Sequence, residues 1–142
     1  MTNAATFLTL TLLNLSIAPA VQALEIPAGK WGMNSETLTP MSAEPIKEYN
    51  EECIEEDFDP AQMLANSDLG TQCQVLPTVD TDSEFNSNIS CDMGQAGSSA
   101  GTMRITVDGN EARGEMQMSI AVAGQVMEMR NTWTGERLGA CD

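Results

Sequence analysis

The stretch TMRITVDGNEARGEMQMSIAVAGQVMEMRNTW, residues 102–133, decides the fold class of this chain. Apolar and polar side chains alternate along three segments, which are separated by Asp108-Gly109 and Ala123-Gly124. Alternation with a period of two is typical of strands that bury one face, and Asp-Gly is a strong signal for a two-residue hairpin loop. The stretch therefore predicts three antiparallel strands joined by two tight turns.

The registers of these two hairpins agree with each other. A two-residue first loop pairs Ile105 with Ala112, and a two-residue second loop pairs Ile120 with Met127. Both registers place the apolar side chains of all three strands on one side of the sheet. Because a slip of one residue would turn a whole strand over, this agreement supports a common apolar face. Gly114, in the middle strand, is a natural point for the sheet to bend.

A third hairpin is predicted around Asp82. Folding the chain there places Val79 opposite Phe85 and Cys73 opposite Cys91. Directly opposed residues of an antiparallel pair lie within disulfide-bonding distance. This register therefore favours one of the three pairings that four cysteines allow.

The remaining two cysteines, Cys53 and Cys141, would then bond each other and join the two ends of the chain. The first half is less regular, with strands indicated around Trp31 and over residues 49–54. Asp59-Pro60 predicts a helix over residues 60–66, because Asp is a favoured N-cap and Pro suits the first helical position. The helix is expected to end in a loop around residues 67–70, and residues 94–101 are expected to form a flexible connector.

Residues 1–23 are predicted to be a secretory signal peptide. An apolar run over residues 7–18 is followed by the small-residue step Val21-Gln22-Ala23, which suits cleavage. The run is shorter than the roughly 20 residues that span a bilayer. The mature chain, residues 24–142, is expected to form one β-rich domain with no integral membrane segment. It holds all four cysteines, and an even count in a small exported protein favours two disulfides and a periplasmic or secreted location.

Charge and composition exclude several classes of function. The formal net charge is −15 with six basic residues, which disfavours nucleic acid as a partner because phosphate binding needs clustered Lys and Arg. The chain has no histidine, the commonest general base and metal ligand. No catalytic residue, metal ligand or cofactor motif is singled out, so we expect a protein that is not an enzyme.

Several short motifs together resemble a known family. They are the Pro-Ala-Gly-Lys-Trp segment at residues 27–31, the Cys53 region with its Asp-Pro helix, the strand at Cys73-Gln74-Val75, Cys91, the Asp-Gly hairpin, the Met-x-Met strands and a terminal Gly-Glu-Arg-Leu-Gly-Ala-Cys. In combination they are similar to the secreted bacterial domain-of-unknown-function family 3617. The resemblance covers nearly all of the mature chain, and it implies a Gram-negative periplasmic or secreted setting. It implies no catalytic chemistry.

Methionines give the sharpest candidate site. Five of the ten share the apolar face with a tryptophan, and these residues could line a site for an apolar ligand: Met103, Met116, Met118, Met127, Met129 and Trp133. Two other interpretations stay open. Flexible Met side chains fill irregular cores, and thioethers are soft ligands that suit Cu(I).

Acidic clusters are a second candidate. Residues 80–84, Asp-Thr-Asp-Ser-Glu, have the oxygen spacing of a partial calcium loop but lack the glycine that a full loop uses. They also lie where the hairpin needs a polar turn. The acidic run over residues 51–59 reads as a solvated surface or a weak cation site.

The sequence as a whole predicts an all-β fold. We expect an antiparallel, mostly meander sheet of six to seven strands, curled towards a half-barrel, with one short helix and two disulfides. The apolar face must be covered by the first half of the chain, by curling, or by a partner or ligand. The expected function is a non-enzymatic binding or interaction module for an envelope protein or a small apolar ligand. The alternative is metal handling, with Cu(I) on thioethers or Ca²⁺ on acidic loops.

Overall fold

The computed structural model describes residues 22–66 and 72–141, and β-strands make up most of this part of the chain. Within it, no helix has the length and apolar character needed to cross a lipid bilayer. The elements in chain order are β1 (Gly29–Leu38), β2 (Ile46–Ile54), α1 (Pro60–Asn66), β3 (Cys73–Asp80), β4 (Glu84–Asp92), β5 (Ser98–Asp108), β6 (Glu111–Val122) and β7 (Gln125–Gly139).

All seven strands belong to one antiparallel sheet in the order β2-β1-β7-β6-β5-β4-β3. Strands β3 to β7 follow one another as a meander, and β1 lies beside β7 with β2 outside it. The sheet is open, with β2 and β3 at its two edges. The predicted all-β, antiparallel, mostly meander fold is therefore confirmed.

The two central hairpins differ in how well the sequence predicted them. The β6–β7 register is as predicted, with Ile120 opposite Met127. The β5–β6 register is shifted by two residues from the prediction, because the loop is Gly109-Asn110 and not Asp108-Gly109. Gly109 has a φ of +59° and takes the first central position, which is where a type II′ turn places glycine. A shift of two leaves every side chain on its predicted face.

The β3–β4 hairpin follows its predicted register only at the cysteine end. Cys73 lies opposite Cys91, but Val79 lies opposite Asn86 and not opposite Phe85. The register shifts between Pro77 and Val79. A proline has no backbone N–H to donate to the ladder, so an irregularity beside it is expected on an edge strand.

Boundaries elsewhere also differ from the prediction. Strand β5 begins at Ser98, so the predicted connector over residues 94–101 is wrong in its second half, where the strand pairs with β4. Strand β2 begins at Ile46, three residues before the predicted start. Helix α1 has its predicted bounds, and the loop predicted around residues 67–70 lies outside the described residues.

Two segments from the first half of the chain cover part of one sheet face, here called the core face. The buried core combines Leu24 and Ile26 with side chains of β1, β4, β5 and β6 and with Leu64 of α1. Backbone hydrogen bonds between Ile26 and Phe58, 2.8 and 2.9 Å long, join these two segments. We predicted three ways in which the apolar face could be covered. The part of the face described here is covered by the first half of the chain.

Local capping holds α1 in place over the sheet. The Asp59 carboxylate accepts hydrogen bonds from the backbone N–H groups of Ala61 at 2.8 Å and Gln62 at 3.1 Å. Pro60, at the first helical position, is fully buried. The sequence prediction of an Asp cap followed by Pro is therefore confirmed.

Two disulfides join the pairs that the register favoured. Cys73 is bonded to Cys91 across β3 and β4. Cys53, in β2, is bonded to Cys141, which follows β7. The second bond ties the edge strand of the first half to the C-terminal segment.

Candidate functional site

The structure brings the predicted methionines together on the core face. The pairs that lie opposite each other on neighbouring strands are Met103 with Met116, Met118 with Met129, and Ile120 with Met127. Trp133 shares this face through its pairing with Gly114. All six predicted lining residues therefore occupy one continuous surface.

The core divides this surface into two parts. Met103 and Trp133 are half-buried and pack against the core cluster. The remaining residues lie beyond that cluster and form what we call the Met patch: Met116, Met118, Ile120, Met127 and Met129. Met127 is 37% exposed, and the other members are intermediate in burial. The Met patch is therefore the part of the apolar face that the first half of the chain leaves accessible.

Glycines on the core face make room for large neighbours. A Cβ on Gly114 would overlap the Trp133 indole, and a Cβ on Gly101 would overlap the Met118 sulfur. β6 pairs with both neighbours through Gly114 without a register shift. The missing side chain of Gly114 lets Trp133 lie over the sheet beside the Met patch.

Asn131, a polar residue of the core face between Met129 and Trp133, has a partner within the sheet. Its side-chain amide donates a hydrogen bond of 2.8 Å to Thr37 Oγ1 on β1. The amide is thereby satisfied in a half-buried position. Trp31, the other tryptophan, is 1% exposed and donates its indole N–H to the Pro27 carbonyl at 2.9 Å, so it anchors the core.

The Met patch continues into an end of the sheet that is rich in exposed apolar side chains, which we call the apolar end. It comprises the described residues 38–47, 90–101 and 119–130, and it carries three acidic and two basic residues, a net charge of −1. The chain as a whole carries −15. The exposed apolar residues here are Leu38, Met41, Ile46, Val122, Val126 and Met127.

Sequence reasoning missed the apolar end as a unit. Its residues come from three connections, and only the sheet order places the β1–β2 turn near the β6–β7 turn. The sequence contained one signal of this surface. Val126 lies on the opposite face of its strand from Met127, and it is apolar although the other side chains of the strand near it on that face are polar. That exception marks a position exposed on the opposite face at 65%.

The face opposite the core face is polar, and its basic side chains are engaged by acidic ones. The ion pairs, with N–O distances from 2.7 to 3.8 Å, are Lys30–Glu51, Lys47–Glu36, Arg104–Glu84, Arg113–Glu111 and Arg130–Glu115. Arg137, the sixth basic residue, donates to the Ala28 carbonyl at 2.8 Å. All six basic residues lie in the part of the chain that the structure describes, and each has an internal partner.

Hydrogen bonds perturb two carboxyl groups on this polar face. The Gln117 amide, 2.6 Å from Glu115, and the nearby Arg130 guanidinium hold the pKa of Glu115 below its ordinary value. The Lys30 ammonium and the Tyr49 hydroxyl lower the pKa of Glu51 in the same way. Tyr49 donates to that carboxylate at 3.1 Å, and this bond raises the pKa of its own hydroxyl. Glu51 and Tyr49 are exposed and Glu115 is partly buried, and these hydrogen bonds hold the three side chains in place on the polar face.

Residues of the acidic segments accept hydrogen bonds from backbone N–H groups, either within their own turn or from the segment around Leu24. Thr81 Oγ1 accepts a hydrogen bond of 3.1 Å from the Glu84 backbone N–H, which closes the β3–β4 turn. Asp80 and Asp57 accept backbone N–H groups of Leu24 and Ala28, at 3.1 and 2.9 Å. Over residues 22–66 and 72–141, no group of three or more His, Cys, Asp or Glu side chains is arranged to hold a metal ion.

Comparison with known proteins identifies the family. A family model described as "Protein of unknown function (DUF3617)" matches residues 26–141, which is most of the chain. The chain therefore belongs to this family, as the resemblance in its motifs indicated. Neither a curated protein nor a solved structure matches it.

Proposed function

We propose that this DUF3617 protein is a non-enzymatic binding module that holds a small apolar molecule on the Met patch. One observation carries the proposal. The Met patch is an apolar continuation of the core face that packs against neither α1 nor the segment around Leu24 in the core cluster. Apolar surface that stays accessible in a folded protein commonly marks a binding site.

The chemistry of the Met patch suits an apolar ligand of variable shape. Methionine side chains are unbranched and polarisable, so they adapt to irregular surfaces. Trp133 borders the patch and offers an aromatic face. The apolar end is nearly neutral, whereas β2 and its connection to α1 are acidic. The apolar end is therefore the surface that suits an uncharged molecule.

We place the protein in the periplasm or outside the cell. The apolar leader predicted over residues 1–23 and the two disulfides support this location, since disulfides persist in oxidising compartments. A lipid-rich envelope would also supply apolar molecules. An envelope protein docking on the same surface is the other partner that the apolar face would suit.

Titration with N-phenyl-1-naphthylamine, a neutral fluorescent probe, tests the proposal on the disulfide-bonded protein. We expect saturable fluorescence enhancement that is lost in Met118→Glu and Met129→Glu, since each places a charge in the Met patch. Leu76→Glu is the matched control, because Leu76 is 61% exposed on β3, far from the Met patch in the sheet order. Equal enhancement in all four proteins would contradict the proposal.

Mass spectrometry of the folded protein purified from its own host identifies the natural ligand. We expect a co-purifying apolar molecule whose mass is lost on unfolding in organic solvent. The Met118→Glu variant, purified in parallel, should carry none of it. A ligand retained equally by this variant would place the binding site elsewhere.

Binding of Cu(I) is the second candidate, and the juxtaposition of thioethers on β5, β6 and β7 favours it over other metals. Replacing Met116, Met118, Met127 and Met129 by Leu nearly conserves volume, so the variant should fold and keep both disulfides. Competition for Cu(I) against a chromophoric chelator distinguishes the two functions. We expect no tight binding by either protein, whereas one-to-one binding that disappears in the Leu variant would establish the copper function.

A further inference from the structure

The backbone nitrogen of Leu24 makes a long-range hydrogen bond, although the residues just before Leu24 are exposed. It donates a hydrogen bond of 3.1 Å to Asp80 Oδ1, at the end of β3. The Leu24 side chain is 1% exposed and belongs to the core, whereas Gln22 and Ala23 are exposed. The boundary between exposed chain and buried core therefore falls between Ala23 and Leu24.

The surroundings of this nitrogen are acidic. Besides Asp80, the cleft next to it is lined by Glu25 of the same segment, Asp57 of the β2–α1 connection and Asp82 of the β3–β4 turn. No basic side chain lines the cleft. A neutral backbone N–H supplies one donor and no charge to this site, so most of the negative charge remains uncompensated.

We propose that proteolytic processing occurs between Ala23 and Leu24 and that the new α-ammonium group of Leu24 forms an ion pair with Asp80. The inference rests on the exported setting proposed above and on the small residues that precede the bond. A signal peptidase would catalyse attack of water on the Ala23 carbonyl carbon. The C–N bond breaks, Ala23 leaves as a carboxylate, and the Leu24 amine takes up a proton.

Cleavage therefore strengthens the contact between the Leu24 nitrogen and the Asp80 carboxylate. The nitrogen changes from a neutral amide to a cation with three donors, and charge-assisted hydrogen bonds are stronger than neutral ones. The buried Leu24 side chain holds the new terminus against β3. In the unprocessed chain the same nitrogen remains an amide, so the ion pair is a property of the mature protein alone.

This ion pair makes stability depend on pH in a defined direction. An α-amine has a pKa of about 7.7–8.0 in an unfolded chain, and a neighbouring carboxylate raises it in the folded state. The ion pair therefore contributes fully below about pH 8, and its contribution is lost as pH rises through the folded pKa. The groups that face this amine are carboxyl groups: Asp80, Asp82, Asp57 and Glu25.

The intact mass of the exported, disulfide-bonded protein is the first test. We expect the mass of a chain that begins at Leu24. A chain that begins at any other residue would overturn the proposed processing site.

Urea unfolding at pH 7 and pH 9.5 is the second test. Going from pH 7 to 9.5 should lower the folding equilibrium constant of the mature protein about tenfold, as a pKa raised by one unit predicts. Asp80→Asn and a chain that retains Ala23 should both lose most of this dependence, the first by removing the partner and the second by moving the amine away. Asp82→Asn is the matched control and should keep it.

The retained-Ala23 chain keeps the test decisive even if Asp80→Asn does not fold, because it leaves every side chain of the mature protein in place. An equal dependence on pH in the mature and the extended chain would overturn the ion pair. Neither result changes binding of the naphthylamine probe to the Met patch. The failure of this inference and the failure of the proposed function are therefore distinguishable.

Discussion

Gly114 and Trp133 show how a single missing Cβ shapes the apolar face. The indole lies over the glycine, in the space that a Cβ would occupy. Gly135 plays a similar part beneath Met33, whose sulfur is 2.6 Å from the position that a Cβ would take. Large residues opposite glycines thus pack closely on the sheet at the edge of the core cluster.

Gly114→Ala is expected to destabilise the fold. The added Cβ would overlap the Trp133 ring, and relieving such overpacking costs about 1–3 kcal/mol of unfolding free energy. Urea denaturation measures the loss, and Trp fluorescence reports movement of the ring. In the Trp133→Leu background the same substitution should cost much less, because the overlapping ring is absent. Equal costs in both backgrounds would contradict the packing explanation.

Glu115 gives a prediction at the same scale for the polar face. Gln117→Met removes the amide donor, so the pKa of Glu115 should rise towards its ordinary value while the Arg130 guanidinium still holds it partly down. A lowered folded pKa stabilises the protein above the unfolded pKa, and this contribution is lost as pH falls through the folded one. Carboxyl chemical shifts followed by NMR titration measure the change.

At the scale of elements, the two central hairpins have loops of the same length but different residues at the first central position of the turn. Both loops have two residues. The β5–β6 loop places Gly109 at its first central position, whereas the β6–β7 loop places Ala123 there with a φ of +50°. Two-residue hairpin loops require positive φ at this position, and an L-residue with a Cβ adopts it at a cost.

Ala123→Asn should therefore stabilise the β6–β7 hairpin. Asn followed by Gly is the preferred pair for a turn with two positive φ angles, and relief of the alanine strain is expected to add about 1 kcal/mol of stability. Thermal unfolding measures the gain. Ala100→Asn, an exposed substitution in the extended β5, is the control and should be neutral or slightly destabilising. A loss of stability in Ala123→Asn would argue against a strained turn.

At the scale of the whole molecule, the sequence predicted on which face of the sheet each side chain lies. It did not predict which part of the sheet is covered by other segments. Alternation fixed which residues share the core face, so a two-residue error at the β5–β6 loop moved Met103 from Gly114 to Met116 without exposing it. The shift beside Pro77 depends on one missing donor in an edge strand, which alternation does not encode.

The position of the cover depends on contacts far apart in sequence. Leu24 joins Phe85 and Ile105 in one core, and no periodic pattern links these residues. The six residues of the predicted site therefore share one face of the sheet, as their alternation indicated. Its division into a covered half and an accessible Met patch needed the structure, because α1 and the segment around Leu24 cover only the former.

Unequal effects are expected from removing the two disulfides. The Cys53–Cys141 bond spans 88 residues and the Cys73–Cys91 bond spans 18, so the first constrains the unfolded chain more strongly. In the chain-entropy model their losses cost about 4–5 and about 3 kcal/mol. Urea denaturation of the two double Cys→Ala variants measures the order, and peptide mapping without reductant checks that the remaining bond is intact. A larger loss from the Cys73–Cys91 pair would show that its local packing outweighs the loop effect.

The sheet order also sets when the molecule can fold. Strand β7 is the last strand to leave the ribosome, yet it lies between β1 and β6. The β1–β2 hairpin, made early, has no neighbour until the final 18 residues have emerged, and Cys53 waits for Cys141 over the same interval. Vectorial, N-terminus-first assembly is therefore impossible for this sheet.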